Sequence, residues 1–112
     1  MSTLGQDIMC TAVEGGIGYF AVITDAKRTP DLDWVEVTIE DAEGDDAFEP
    51  MTVKATQLEA AAKAMTADDY NLNSEMKQRI REMLRERDAG IVDSYDAQAI
   101  FQQAAFGEQV FG

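Results

Sequence analysis

The chain has 112 residues, 46% of them hydrophobic, and its 22 acidic against nine basic side chains give a formal net charge of −13. This length and apolar content predict one domain with its own core, spanning residues 1–112. Histidine is absent, which excludes Ser-His and Cys-His catalysis and the usual zinc ligand sets. No apolar run approaches the roughly 20 residues of a membrane span, and no secretory signal is visible. We therefore expect a protein that is not an enzyme, has no catalytic residues, no metal and no cofactor, and resides in a reducing compartment.

The first predicted element is a short helix over about residues 4–14. Thr3 and Gln6 have the spacing of a capping box, and Gly15 is a natural helix stop. Between them, apolar residues recur at helical spacing, although the run is short enough for a strand to be the competing interpretation. Cys10, the only cysteine, is expected to be a small buried core residue and not a reactive thiol.

Three strands are predicted next, as an antiparallel meander. Residues 17–25 are apolar on both faces, which indicates a central strand covered by helices on at least one side. Residues 34–41 alternate, with Trp34, Glu36, Thr38 and Glu40 on the polar face. Residues 48–54 contain Pro50, which favours an edge position.

Three helices are predicted after the strands. The first, to about residue 65, begins at a second capping box, Thr56 to Glu59. The second starts at Ser74, carries an apolar stripe and ends near residue 88, before Gly90. The last, over about residues 94–106, is apolar nearly all round, so it should be buried or form a homodimer interface. An apolar tail follows and should be docked. The predicted fold is α+β: a three-stranded antiparallel sheet with an N-terminal helix and three C-terminal helices packed on it.

The candidate binding surface is an acidic hairpin, because no basic residue lies between Arg28 and Lys54. Its charges could imitate a nucleic-acid backbone, which carries one charge per about 1.7 Å of duplex axis, and so occupy a basic groove on a host enzyme. The alternative is a solvated hairpin whose charges prevent edge-to-edge aggregation. The predicted partner-binding residues are Asp31, Asp33, Trp34, Glu36, Glu40, Asp41, Glu43, Asp45, Asp46 and Glu49.

Three other patterns are weaker. A calcium loop starting at Asp41 fails, because its sixth position is Asp46 where glycine is required, and only weak divalent binding is left. The glycines at 15, 16 and 18 follow a helix and precede a strand, which is the wrong order for a phosphate-binding loop. A basic ridge of Lys77, Arg81 and Arg85 should pair with acids of this chain or of a second subunit.

Two stretches resemble small bacteriophage and prophage proteins of unassigned role. They are Glu14-Gly15-Gly16-Ile17-Gly18-Tyr19-Phe20-Ala21 and the C-terminus, from Asp96-Ala97-Gln98 through Phe106-Gly107-Glu108-Gln109-Val110-Phe111-Gly112. The resemblance implies a phage-encoded accessory protein acting in the host bacterial cytoplasm, and it carries no catalytic residues.

The charge and the resemblance together favour a non-enzymatic binder of a basic host protein surface. Such a binder would contact neither nucleic acid nor membrane, since a field of this sign repels both. The host target would be a nuclease subunit, with the protein acting as a nucleic-acid mimic that inhibits a defence nuclease such as a CRISPR complex. The alternatives are a small-ligand or nucleotide binder using Tyr19 and Trp34, and a phage structural or assembly component.

Overall fold

The fold is taken from a computed structural model that describes residues 2–44 and 47–111. Within them the chain forms α1 (Leu4–Gly15), β1 (Ala21–Arg28), β2 (Trp34–Asp41), β3 (Met51–Lys54), α2 (Ala55–Met65), α3 (Ser74–Glu86), a short 3-10 helix (Ala89–Ile91) and α4 (Ser94–Phe106). The strands pair in the order β1-β2-β3, and both pairs are antiparallel. The predicted α+β fold is confirmed.

Helix α1 begins at the predicted capping box. The Thr3 hydroxyl accepts a hydrogen bond from the Gln6 backbone N–H, and the Gln6 side chain accepts one from the Thr3 N–H at 2.8 Å. Two glycines let this helix approach its neighbours closely. A Cβ at Gly5 would lie 2.2 Å from the carbonyl oxygen of Ala55, and one at Gly16 would lie 2.7 Å from that of Ser94. Helix α1 is therefore held against the starts of both α2 and α4.

The first strand is at the edge of the sheet, so the prediction of a central strand over residues 17–25 is wrong. The backbone N–H groups of Phe20 and Ala21 both donate to the Ile17 carbonyl, which makes a turn, and β1 begins only at Ala21. The apolar side chains of Ile17 and Phe20 are buried from that turn and not from a strand. Strand β2 takes the centre, with the strand limits that the sequence predicts.

The third strand and the helix after it need smaller corrections. Strand β3 is at the edge as predicted, but it begins after Pro50, at Met51. Helix α2 follows without a loop. Its first turn is capped by the Gln57 side chain, which accepts a hydrogen bond from the Lys54 N–H at 2.6 Å, and not by the predicted box of Thr56 and Glu59.

Helices α3 and α4 supply much of the core. The predicted stripe of α3 is buried at Met76, Ile80 and Met83. This helix ends at Glu86 because Arg87 adopts a left-handed conformation (φ 57°), while Gly90 lies in the 3-10 helix that follows. Helix α4 is buried over residues 96–102 and packs on α1, α2 and β3. The apolar surface that motivated a homodimer is thus used within the chain, and dimerisation stays a prediction.

The C-terminal residues are docked, as predicted. The Phe111 ring stacks on Phe20 with centroids 4.8 Å apart, and Phe48 contacts Phe106 at 5.1 Å. These four rings form an aromatic cluster. It joins the turn before β1, the segment before β3, the end of α4 and the tail, residues 108–111.

Candidate functional site

The structure divides the predicted acidic hairpin into two ends. Asp31 and Asp33 lie in the turn between β1 and β2, whereas Glu40, Asp41, Glu43 and Glu49 lie at the other end of β2 and in the segment leading to β3. Eight residues of strand at about 3.3 Å per residue separate the two groups by about 23 Å. Asp45 and Asp46 lie outside the described residues. The acids therefore do not form one continuous surface along the hairpin.

We call Glu40, Asp41, Glu43 and Glu49 the acidic end. The carboxylate of Asp41 organises it by accepting hydrogen bonds from the backbone N–H of Glu43 at 3.1 Å and of Ala47 at 2.8 Å. Glu40, Glu43 and Glu49 are exposed, and none of them forms an ion pair with a described residue. Phe48 anchors the segment in the aromatic cluster. The acidic end is thus a negatively charged surface on a packed base.

Glu36 does not belong to this negative surface. Its carboxylate lies 3.9 Å from the Lys27 ammonium on β1, and Lys54 is its partner in register on β3. The side chain is only 20% exposed. Beside it, the hydroxyls of Thr38 and Thr52 are hydrogen-bonded across the strands at 3.0 Å. The middle of the outer sheet face is therefore close to neutral.

Trp34 lies on the opposite face from the predicted one. The pairing of β1 with β2 skips Val35, so that Lys27 pairs with Glu36 while Arg28 pairs with Trp34. This bulge reverses the alternation and turns Trp34 to the helix side, where it packs against the core with the Arg28 guanidinium 4.2 Å above its ring. Trp34 is therefore not available beside Glu36 and Glu40. It also lies at the other end of β1 from Tyr19, so the two rings do not lie side by side, and the small-ligand alternative stays a prediction.

Cys10 is only half-buried, so the prediction of a fully buried core cysteine is wrong. It lies on α1 near Trp34, Arg28 and Glu14. Burial, followed by the negative charge of Glu14, raises the pKa of the Cys10 thiol, and the smaller influences of Trp34 and Arg28 oppose this. A raised pKa disfavours the nucleophilic thiolate, so the inert character predicted for this cysteine agrees with its surroundings.

The basic ridge on α3 binds the connection that precedes the helix. The Lys77 ammonium donates to the carbonyls of Ala67 and Tyr70, each at 2.8 Å, and Arg81 donates to the Thr66 carbonyl at 2.9 Å. Arg81 also pairs with Asp68, and Arg85 pairs with Glu86. The prediction of pairing within the chain is confirmed in part, since most of these partners are backbone carbonyls and not acids.

A buried amide network, which the sequence does not reveal, holds the tail on α4. The Gln102 side chain is fully buried, and its Oε1 accepts hydrogen bonds from the backbone N–H of Val110 and Phe111, both at 2.8 Å. Its Nε2 donates to the Gln98 Oε1 at 2.6 Å, and that oxygen also accepts from the Tyr19 hydroxyl at 3.0 Å. Burial raises the pKa of Tyr19, and the hydrogen bond from Gln102 opposes the shift.

A second buried polar contact joins α3 to α4. The carboxylate of Asp96 is fully buried and accepts two hydrogen bonds from Arg79, from Nε at 2.7 Å and from Nη2 at 2.9 Å. This fork raises the pKa of Arg79 above its usual range. Asp96 also closes the cap of α4, since its backbone N–H donates to the Asp93 carboxylate at 2.8 Å. A lone acid in the first turn of an apolar helix was the only sequence signal for this pair.

A cavity lies beside these contacts, at the N-terminal ends of α3 and α4 and under the tail. Its volume is about 410 Å³, and its lining includes Glu75, Met76, Arg79, Gln98 and Phe111. None of these residues was among the predicted binding residues. In the sequence, the indication of this cavity is the presence of polar residues such as Gln98 in the otherwise apolar α4.

Two further features, a metal-binding cluster and a membrane-spanning helix, are not found in residues 2–44 and 47–111. Three or more side chains of the kind that hold a metal ion do not cluster there. No helix in the same ranges is long and apolar enough to cross a membrane. Comparisons of the chain with protein-family models, with curated proteins and with solved structures find no match.

Proposed function

We propose that the protein is a non-enzymatic binding protein whose acidic end docks into a basic groove on another protein. The observation that carries this proposal is the state of Glu40, Glu43 and Glu49, which are exposed and have no basic partner in the described chain. The sequence places six acids between positions 40 and 49. A partner surface rich in lysine and arginine would supply the missing counter-charges.

The distribution of basic residues supports this choice of surface. Lys27, Arg28 and the cations of α3 are bound within the chain, to carboxylates, carbonyls or the Trp34 ring. Lys54 lies at the far end of β3 from the acidic end. None of the basic residues described forms an ion pair with Glu40, Glu43 or Glu49.

The biological setting of the proposal is a phage accessory protein that inhibits a host defence nuclease. Its support is the resemblance of the two end stretches to phage proteins and a charge suited to displacing nucleic acid from a basic subunit. The aromatic cluster beneath the acidic end adds support, because an ordered charged surface loses less conformational entropy on binding than a flexible one.

The test compares two triple variants. Glu40→Gln, Glu43→Gln and Glu49→Gln remove the acidic end, while Asp69→Asn, Glu82→Gln and Glu86→Gln remove the same charge from α3 and the segment before it. Each variant and the wild-type protein are immobilised and exposed to nuclease-treated bacterial lysate. Association rates of the main captured protein are then measured over a salt series.

We expect the captured protein to be a basic nucleic-acid-binding protein that duplex DNA displaces. It should associate more slowly with the variant of Glu40, Glu43 and Glu49 than with the wild-type protein, and at the wild-type rate with the control variant. The salt dependence of that variant should also be weaker, because exposed charges are screened over about 8–10 Å. Equal rates and parallel salt slopes for both variants would refute the proposal and leave the acids a role in solubility.

A further inference from the structure

The cavity beside α3 and α4 is lined by Gln98, whose amide is oriented by its hydrogen bond to the buried amide of Gln102. The two tail N–H groups bonded to the Gln102 Oε1 can only donate, so they determine which end of that amide is the oxygen. Its Nε2 must then point at Gln98, and the Gln98 oxygen must face it. The Gln98 Nε2 is left to face the other way, and the side chain lines the cavity while its residue is only 4% exposed.

Gln98 thus brings a hydrogen-bond donor to the cavity that the chain does not use. No acceptor among the described residues is bonded to its Nε2. This donor is not among the buried unpaired atoms, so water can bind it in the free protein and a ligand oxygen in the cavity can take the place of that water. The Arg79 guanidinium contributes further donors, since Asp96 occupies only its Nε and one Nη2 hydrogen. This wall of the cavity is therefore suited to an oxygen acceptor.

A carboxylate, which suits a cationic group, lies one helical turn away from Arg79 on α3. Glu75 lines the same cavity and precedes Arg79 by four residues, so their side chains are neighbours on α3. Arg79 is turned to the buried Asp96, and Glu75 forms no ion pair with a described residue. The charges of Glu75 and Arg79 attract each other without a direct ion pair, so the Glu75 carboxylate, in a protein of net charge −13, can still bind a cationic group. Between these polar groups the wall is apolar, formed by Leu72, Met76 and Phe111.

We propose that this cavity binds an α-amino carbonyl group, in which an ammonium and a carboxyl or amide oxygen sit on one carbon. The ammonium pairs with Glu75, the oxygen accepts from Gln98 and Arg79, and an apolar side chain packs on Leu72, Met76 and Phe111. Two sources share this chemistry: a free apolar amino acid and the N-terminal residue of a peptide. The cavity volume of about 410 Å³ admits either. This site is independent of the acidic end.

The test is a titration of the full ¹⁵N-labelled chain with three probes, followed by NMR. L-leucine carries both charged groups, L-leucinamide represents a peptide N-terminus, and N-acetyl-L-leucine lacks the ammonium. We expect saturable shifts of the Gln98 side-chain amide and the Ala99 backbone amide with leucine, with leucinamide or with both. Tighter binding of leucine would identify a free amino acid as the ligand, and tighter binding of leucinamide would identify a peptide N-terminus. N-acetyl-L-leucine should bind at least about tenfold more weakly, the usual effect of losing one charge-assisted hydrogen bond.

A variant pair tests the role of the carboxylate. Glu75→Gln should weaken the binding of leucine or leucinamide about tenfold, whereas Glu82→Gln on the same helix, outside the cavity, should not change it. Both residues are on the surface of α3, so the folded state should be kept, which the backbone spectrum verifies. Absence of saturable shifts with leucine and leucinamide, equal binding of N-acetyl-L-leucine, or equal affinities of the two variants would each overturn the proposal.

Discussion

The hydrogen bonds of Gln102 to the tail lead to the most specific stability prediction. Gln102→Met replaces the amide by an apolar side chain of similar length, so no large cavity is created. The change removes two bonds from the backbone N–H groups of Val110 and Phe111, one to Gln98, and one that the second Nε2 hydrogen shares between the Phe111 carbonyl at 3.1 Å and the Tyr19 hydroxyl at 3.2 Å. The tail should therefore detach from α4.

The expected loss of stability is about 2–4 kcal/mol. Four hydrogen bonds at about 1 kcal/mol net each give the upper value. The lower value corresponds to about 0.5 kcal/mol per bond, the low end of the net range, which already includes the hydrogen bonds that the freed tail groups regain to water. For a domain of this size, the midpoint of thermal unfolding should fall by about 8–16 °C.

The assay combines thermal unfolding with amide hydrogen exchange. The N–H groups of Val110 and Phe111 should exchange faster in Gln102→Met, and the exposed control Gln78→Met should change stability by no more than about 0.5 kcal/mol. A truncation after Glu108 removes the groups that Gln102 binds. In that background the effect of Gln102→Met should shrink to less than half, because the two changes act on one contact. An undiminished effect, or tail amides that stay protected, would refute this account of tail docking.

Further predictions concern local geometry and thiol chemistry. Gly5→Ala should destabilise the protein by about 1–3 kcal/mol, because its Cβ meets the carbonyl at the start of α2, while Gly18→Ala, with no atom within 4 Å, serves as the control in the same denaturant titration. Leu32→Gly should stabilise by up to about 1 kcal/mol, since Leu32 has φ 66° and is 65% exposed, and a lower urea midpoint would contradict this. Glu14→Gln should accelerate alkylation of Cys10 at pH 8, because the carboxylate helps to raise the pKa of the thiol and a lower pKa leaves more thiolate. An unchanged rate would show that the charge of Glu14 does not act on the thiol.

Local signals in the sequence predict most of the helices and the limits of the strand over residues 34–41. The α1 cap, the strand over residues 34–41 and the stripe around Ile80 each depend on residues close in the chain, and the structure has these elements where the patterns place them, apart from the face of Trp34. The assignment of residues 17–25 failed because apolar side chains in a buried turn give the same composition as those in a buried strand. Only pairing with β2 and β3 decides which strand is central, and pairing is not local.

The candidate sites depended on features that the sequence does not encode locally. The bulge at Val35 reverses the face of Trp34, and simple alternation has no means of anticipating an extra residue in one strand. The neutralisation of Glu36 requires Lys27 and Lys54 to be adjacent in three dimensions. The cavity beside Gln98 requires α3, α4 and the tail to meet, so no local pattern in the sequence locates it.

The position of α4 in the chain has a consequence during protein synthesis. This helix is the last of the described elements to be made, yet it packs against α1, α2 and β3. Until α4 leaves the ribosome, those elements expose the apolar surface that it covers, as a partially folded intermediate would. This domain should therefore not complete its folding before Phe106 has left the ribosome, and a nascent chain stalled before Ser94 should bind general chaperones more than one that includes α4.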